Sequence, residues 1–84
     1  MIYEVVLSEK AEIHLENIYN WVKLNYPTNA KTVKDKLVNS MFSLEKFPNR
    51  GTPYRNTNYR FLVSGKFKIV YTVDKNKVII MAIE

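Results

Sequence analysis

"YRFLVSGKFKIVYTV", residues 59–73, is the stretch on which the fold turns. Two β-branched and aromatic runs flank a glycine there. The pattern predicts strands over 59–63 and 67–73, joined by the three-residue loop Ser64-Gly65-Lys66 with glycine in the left-handed position. In that register Val63 faces Phe67, Phe61 faces Ile69 and Tyr59 faces Tyr71. Side chains alternate along a strand, so Tyr59, Phe61, Val63, Phe67, Ile69, Tyr71 and Val73 form the expected core face. Arg60, Leu62, Lys68, Val70 and Thr72 lie on the other. Arg60 and Lys68 become diagonal neighbours roughly 7–8 Å apart, and the open face of the sheet is expected to be basic.

Outward from the hairpin, "VIIMAI" at residues 78–83 reads as a further strand after the polar turn 74–77. Toward the N-terminus, "IYEVVL" at residues 2–7 is β-branched and aromatic and stops at Ser8. Ser8 with Glu9 behind it has the form of a helix N-cap with an acid in the first turn. Ala11, Leu15, Ile18, Tyr19, Val22 and Tyr26 then recur at helical spacing. Tyr26-Pro27 interrupts this helix, since proline disfavours a helical residue before it. Thr28 or Asn29 is placed to cap a second helix with the stripe Val33, Leu37, Met41 and Leu44. Residues 47–53, "FPNRGTP", read as loop. The expected fold is α+β in a single domain over residues 1–84: an N-terminal strand, an antiparallel helical hairpin, and a three-stranded antiparallel meander with the helices on one face.

Composition narrows the function. There is no cysteine, which removes disulfides and thiolate metal sites and fits a reducing compartment. The N-terminus lacks a basic region followed by a long apolar run, so neither a signal peptide nor membrane association is expected, and a cytoplasmic location is. Thirteen Lys and Arg against eight Asp and Glu give a net charge of +5, and the excess is local. Residues 46–73 hold Lys46, Arg50, Arg55, Arg60, Lys66 and Lys68 and no acid, whereas the first 45 residues are nearly balanced. A basic surface of this kind favours nucleic acid or an acidic protein as partner. Tyr54-Arg55 and Tyr59-Arg60 interleave aromatic and cation as in surfaces that stack bases. The same pairs equally describe packed tyrosines followed by solvated arginines. His14, beside the helix stripe, has no second His or Cys with which to hold a metal, and no metal or cofactor is expected.

The order of elements, "IYNWV" in the first helix (18–22), "FPNRGTP" after the second (47–53) and the whole stretch 59–73 together resemble the RelE/ParE superfamily of type II toxin–antitoxin modules. The ParE-like, plasmid stabilisation branch is the nearer match. The resemblance implies a growth-inhibiting toxin neutralised by a cognate antitoxin whose acidic or amphipathic C-terminal segment wraps it. In RNA-cleaving members a key arginine opens the third strand after an aromatic residue; here that position is Lys68, which keeps the charge but loses the bidentate fork. An arginine common in the last strand falls near Ala82 and is absent. A functional segment after that strand would begin where the sequence ends, at Glu84, as expected of a short member or a cut chain.

Resemblance to the ParE-like branch, whose members bind and poison DNA gyrase, implies a non-enzymatic toxin that binds gyrase or a similar target, with Arg50, Arg55, Arg60, Lys66 and Lys68 expected to supply the electrostatics. The alternatives are a ribosome-dependent mRNA endoribonuclease, in which Arg60 and Lys68 stabilise the scissile phosphate, and an inactive antitoxin-binding homologue. Tyr71 is read as a packed aromatic before a catalytic phenol. Ile13, Trp21 and Leu24 form a second apolar edge on the first helix, either buried within the chain or meeting the antitoxin or another copy in a homodimer or hetero-oligomer.

Overall fold

The structure is a computed structural model that describes residues 2–84. Strand β1 (Glu4–Leu7) leads into helix α1 (Glu9–Asn25), a 3-10 turn at Pro27–Asn29, helix α2 (Ala30–Phe42) and a second 3-10 turn at Ser43–Glu45. Strands β2 (Thr52–Pro53), β3 (Arg60–Ser64), β4 (Phe67–Asp74) and β5 (Lys77–Ile83) follow. They form one mixed sheet in the order β1-β5-β4-β3-β2, with β1 parallel to β5 and every other pair antiparallel. The expected α+β architecture is present. Strand β2 falls in the segment read as loop, because two residues next to prolines carry no strand periodicity.

The core lies between the helix pair and one face of the sheet. Ala11 of α1, Leu37 and Met41 of α2 and Leu44 just after it pack on Ile69, Tyr71, Val78, Ile80 and Ile83. These helix positions are the stripes read from the sequence, with Leu15, Ile18 and Val33 half-buried beside them. Tyr26 departs from its stripe and is exposed, because it is already the residue that ends α1. Strand β5 buries both Ile80 and Ile83, which strict alternation forbids. The pairing steps from Val70↔Ala82 to Tyr71↔Ile80, leaving Met81 as an extra residue. A bulge of this kind flips the parity of the strand.

Ser8 ties the bulge to the first helix. Its side chain caps α1 by accepting from the Ala11 amide (3.1 Å) and donates to the Met81 carbonyl (3.1 Å). His14, half-buried on the next turn, accepts the Ile83 amide at Nδ1 (3.1 Å). Loss of a serine cap costs about 1 kcal/mol, and here a second bond goes with it. Ser8→Ala is expected to lower the unfolding midpoint by roughly 5–10 °C for a domain of this size, measured by thermal circular dichroism. The second cap differs from expectation. Asn29 precedes α2 but its side chain makes no capping bond; the Pro27–Asn29 turn runs straight into the helix, and the Asn29 amide already donates to the Tyr26 carbonyl (2.9 Å).

The hairpin register is shifted by one from the sequence reading. Ser64 pairs with Phe67, Leu62 with Ile69 and Arg60 with Tyr71. The loop is therefore the two residues Gly65 and Lys66. Gly65 has φ +60° and Lys66 does not share the positive φ, the pattern of a type II′ hairpin. Ser64 stays in the strand, where its hydroxyl accepts from Ser40 of α2 (3.1 Å). A one-residue slip exchanges the faces of a strand. The β4 half of the predicted core face holds, but the β3 half inverts: Leu62 turns to the helices, and Tyr59 and Val63 are exposed.

Candidate functional site

The register separates the two cations that the sequence placed side by side. Arg60, opposite buried Tyr71, lies on the helix side of the sheet, and Lys68, opposite Val63, lies on the open side. They are not diagonal neighbours on one face, and of the two only Lys68 lies on the open one. That face carries Phe61, Val63, Val70 and Thr72, and Lys68 is the one cation that β3 and β4 place on it.

On that open face Tyr54 and Phe61 meet edge to face at 5.7 Å. The Lys68 ammonium sits 5.0 Å from the Phe61 ring centre and 6.0 Å from that of Tyr54, and the Arg55 guanidinium lies 5.7 Å from Tyr54. Arg55 has φ +54°, a conformation uncommon for a side-chain-bearing residue. Each such cation–ring contact is worth roughly 0.5–1 kcal/mol when exposed. Lys68 and Arg55 thus contact these rings within the chain itself.

On the helix side, Arg60 and Tyr71 hold the loop 47–51. The Tyr71 hydroxyl donates to the Pro48 carbonyl (2.8 Å) and accepts the Gly51 amide (3.0 Å). The Arg60 guanidinium donates to the carbonyls of Gly51 (2.8 Å) and Asn49 (3.4 Å). Burial pushes the Tyr71 phenol above its ordinary range, against the opposing pull of the Gly51 amide and the Arg60 and Arg50 guanidiniums. It is a neutral phenol at pH 7 with both hydrogen-bonding roles taken. Arg50, exposed, donates to Ser43 Oγ (2.8 Å). Among the described residues the only ion pair is Lys77–Glu4 at 4.0 Å, so no carboxylate neutralises either arginine. Gly51 was legible as a turn residue; its contact with a tyrosine twenty positions on was not.

A third feature is an open groove of about 960 Å³ between the helix pair and the β3–β4 turn. Ile18, Trp21 and Val22 of α1, Tyr26 at its C-terminal cap, Val33 and Leu37 of α2, and Phe67 of β4 line it, with Lys36 and Lys66 exposed on its walls. Trp21 and Tyr26 rings stand 6.0 Å apart, inclined by 56°. Of the apolar edge read from the sequence, Trp21 lines the groove while Ile13 and Leu24 do not. All three are exposed, at 50, 59 and 84 % for Ile13, Trp21 and Leu24. Among the basic candidates Lys66 belongs to the groove, Arg55 and Lys68 to the open face, and Arg50 and Arg60 to the latched loop. Five residues treated as one surface are three. No group of three or more metal-ligating side chains comes together among the described residues, and no helix among them is long and apolar enough to cross a membrane.

A small mixed sheet with a helical hairpin on one face carries an apolar groove beside its β3–β4 turn. Residues 5–84 match the model of the ParE toxin of the type II toxin–antitoxin system parDE. The chain belongs to that ParE toxin family. Its fold is similar to a chain of the chromosomal ParDE toxin–antitoxin system from P. aeruginosa, at 20 % identity and a TM-score of 0.88, covering 99 % of this chain and 95 % of that one. It is also similar to a chain of the RelBE2 toxin–antitoxin complex from Mycobacterium tuberculosis, at 20 % identity and a TM-score of 0.75, covering 100 % and 98 %. No curated protein matches the chain by sequence.

Proposed function

We propose that this ParE-family toxin arrests bacterial growth by binding a topoisomerase of the DNA gyrase type, without cleaving RNA, and that a cognate antitoxin silences it by seating an apolar segment in the groove lined by Trp21. One observation favours binding over cleavage. Arg60 and Lys68, the pair that the nuclease reading needs at one phosphate, stand on opposite faces of the sheet. Arg60 is committed to two loop carbonyls, and Tyr71 has no free proton-transfer role. General acid–base catalysis requires groups within hydrogen-bond reach of the same reacting centre. The antitoxin part rests on the groove's chemistry: aromatic and aliphatic walls with two lysines suit an amphipathic helix that carries carboxylates beside its apolar stripe.

Induced expression in bacteria lacking the antitoxin tests the target class. Growth arrest with intact mRNA and an induced DNA-damage response is the expected result. Cleavage of translated mRNA would establish the endoribonuclease instead, and abolition of that cleavage by Lys68→Ala would place its chemistry on the open face.

A further inference from the structure

We propose that the loop 46–50 is the finger through which the toxin grips its target, with Phe47 entering an apolar pocket on a protein and Lys46 and Arg50 meeting carboxylates at the pocket's rim. This rests on the binding reading given above and names the contacting element.

The loop presents an aromatic outward. Phe47 is 62 % exposed, although withdrawing a phenylalanine side chain from water is favourable. The entry to the loop is tied down beside β1, where the Tyr3 amide donates to the Glu45 carbonyl (2.8 Å). The loop is also held in one shape. Tyr71 and Arg60 fix the backbone of Pro48, Asn49 and Gly51 from below. The Phe47 amide donates to the Ser43 carbonyl and the Arg50 amide to the Phe47 carbonyl, each at 3.2 Å. These bonds do not serve to bury Phe47; their product is a rigid loop with its large side chain in solvent. Rigidity in the bound shape removes the ordering penalty of association, and aromatic and arginine side chains dominate binding hot spots.

Charge selects the partner. Lys46 and Arg50 are exposed and the Arg60 guanidinium is bonded to the same loop at the Asn49 carbonyl, while the nearest acid in sequence, Glu45, is half-buried. The Arg50 Nη1 is held by Ser43 Oγ, which aims the guanidinium and leaves its other donors for a carboxylate pair. A single protruding ring is a poor platform for successive bases, so a protein with an acidic-rimmed apolar pocket fits better than single-stranded nucleic acid.

The test compares Phe47→Ala, Phe47→Tyr, Arg50→Glu and Arg50→Lys with wild type in induced expression, reading growth arrest, and follows each purified chain by thermal unfolding. Phe47→Ala and Arg50→Glu are expected to need about tenfold more toxin for arrest, with midpoints within about 3 °C of wild type as for exposed substitutions. Phe47→Tyr and Arg50→Lys keep most of the activity. Full arrest by Phe47→Ala and Arg50→Glu would overturn the finger and leave the toxin reading intact. Loss in Arg50→Glu alone would make the contact purely electrostatic, as for nucleic acid, and overturn the apolar anchor. A fall in midpoint that accounts for the lost arrest would assign Phe47 to the fold and also overturn it. If wild type itself fails to arrest growth, the binding reading falls and the finger falls with it.

Discussion

Gly51→Ala is expected to lower the unfolding midpoint by about 12–24 °C. A Cβ at this position would stand 2.5 Å from the Tyr71 hydroxyl, 2.8 Å from Tyr71 Cε1 and 2.8 Å from the Phe61 carbonyl. Neither obstacle is the loose end of a flexible side chain. The Tyr71 ring is fully buried in the core, and the Phe61 carbonyl belongs to the β3 backbone. Overpacking typically costs 1–3 kcal/mol; losing the bond between the Gly51 amide and the phenol adds about 1 kcal/mol. A total near 3 kcal/mol is a large part of the stability of an 84-residue domain, and it converts to the stated shift at roughly 4–8 °C per kcal/mol. The requirement is for space, not for a left-handed backbone.

A double-mutant cycle isolates the cause. Tyr71→Phe alone leaves the Gly51 amide and the Pro48 carbonyl without their partner, at roughly 1–3 kcal/mol for each group that stays buried and unsatisfied. In the double variant the closest clash disappears with the hydroxyl, while the contacts with Cε1 and the Phe61 carbonyl remain. The combined loss is therefore expected to fall short of the sum by about 1 kcal/mol or more. Chemical unfolding of all four chains measures it. Strict additivity would show that Gly51 and Tyr71 act independently and that the loop is not latched through the phenol.

What the sequence disclosed and what it hid divide along the range of the interactions. The helices were legible because their signals are local: Ser8 caps three residues ahead, and the stripes of Ala11, Leu15 and Val22 or of Val33, Leu37 and Met41 repeat within a few turns. The strands were legible for the same reason, and so was the face of β4, but the face of β3 was not. One residue, Ser64, decides whether the turn holds two or three positions, and its partner is Ser40 of α2, 24 residues away. Gly65 is compatible with either loop. From that single step follow the inversion of β3, the separation of Arg60 from Lys68, and the conversion of a presumed phosphate contact into a loop clamp. The Met81 bulge was hidden similarly, since the Ser8 hydroxyl that accompanies it lies 73 positions away.

Trp21→Ala is expected to weaken antitoxin binding by roughly 30- to 1,000-fold, the equivalent of 2–4 kcal/mol for a buried aromatic anchor. Trp21 is exposed in the free chain and forms one wall of the groove, so an apolar helix laid against Ile18, Val33, Leu37 and Phe67 would cover it. Leu24 is more exposed still but lies outside that lining, and Leu24→Ala is expected to change affinity by less than about fivefold. Exposure alone predicts the reverse order, because it ranks Leu24 first; concavity puts Trp21 at the centre. Calorimetric titration with the cognate antitoxin's C-terminal segment distinguishes the two. Growth arrest supplies the second axis, since the groove and the loop 46–50 are different surfaces. Trp21→Ala should still arrest growth yet escape rescue by co-expressed antitoxin, whereas Phe47→Ala should need about tenfold more toxin for arrest and still bind antitoxin. If Trp21→Ala abolished arrest as well, at an unchanged unfolding midpoint, the groove would be the surface that meets the target, and the antitoxin would act by occupying it.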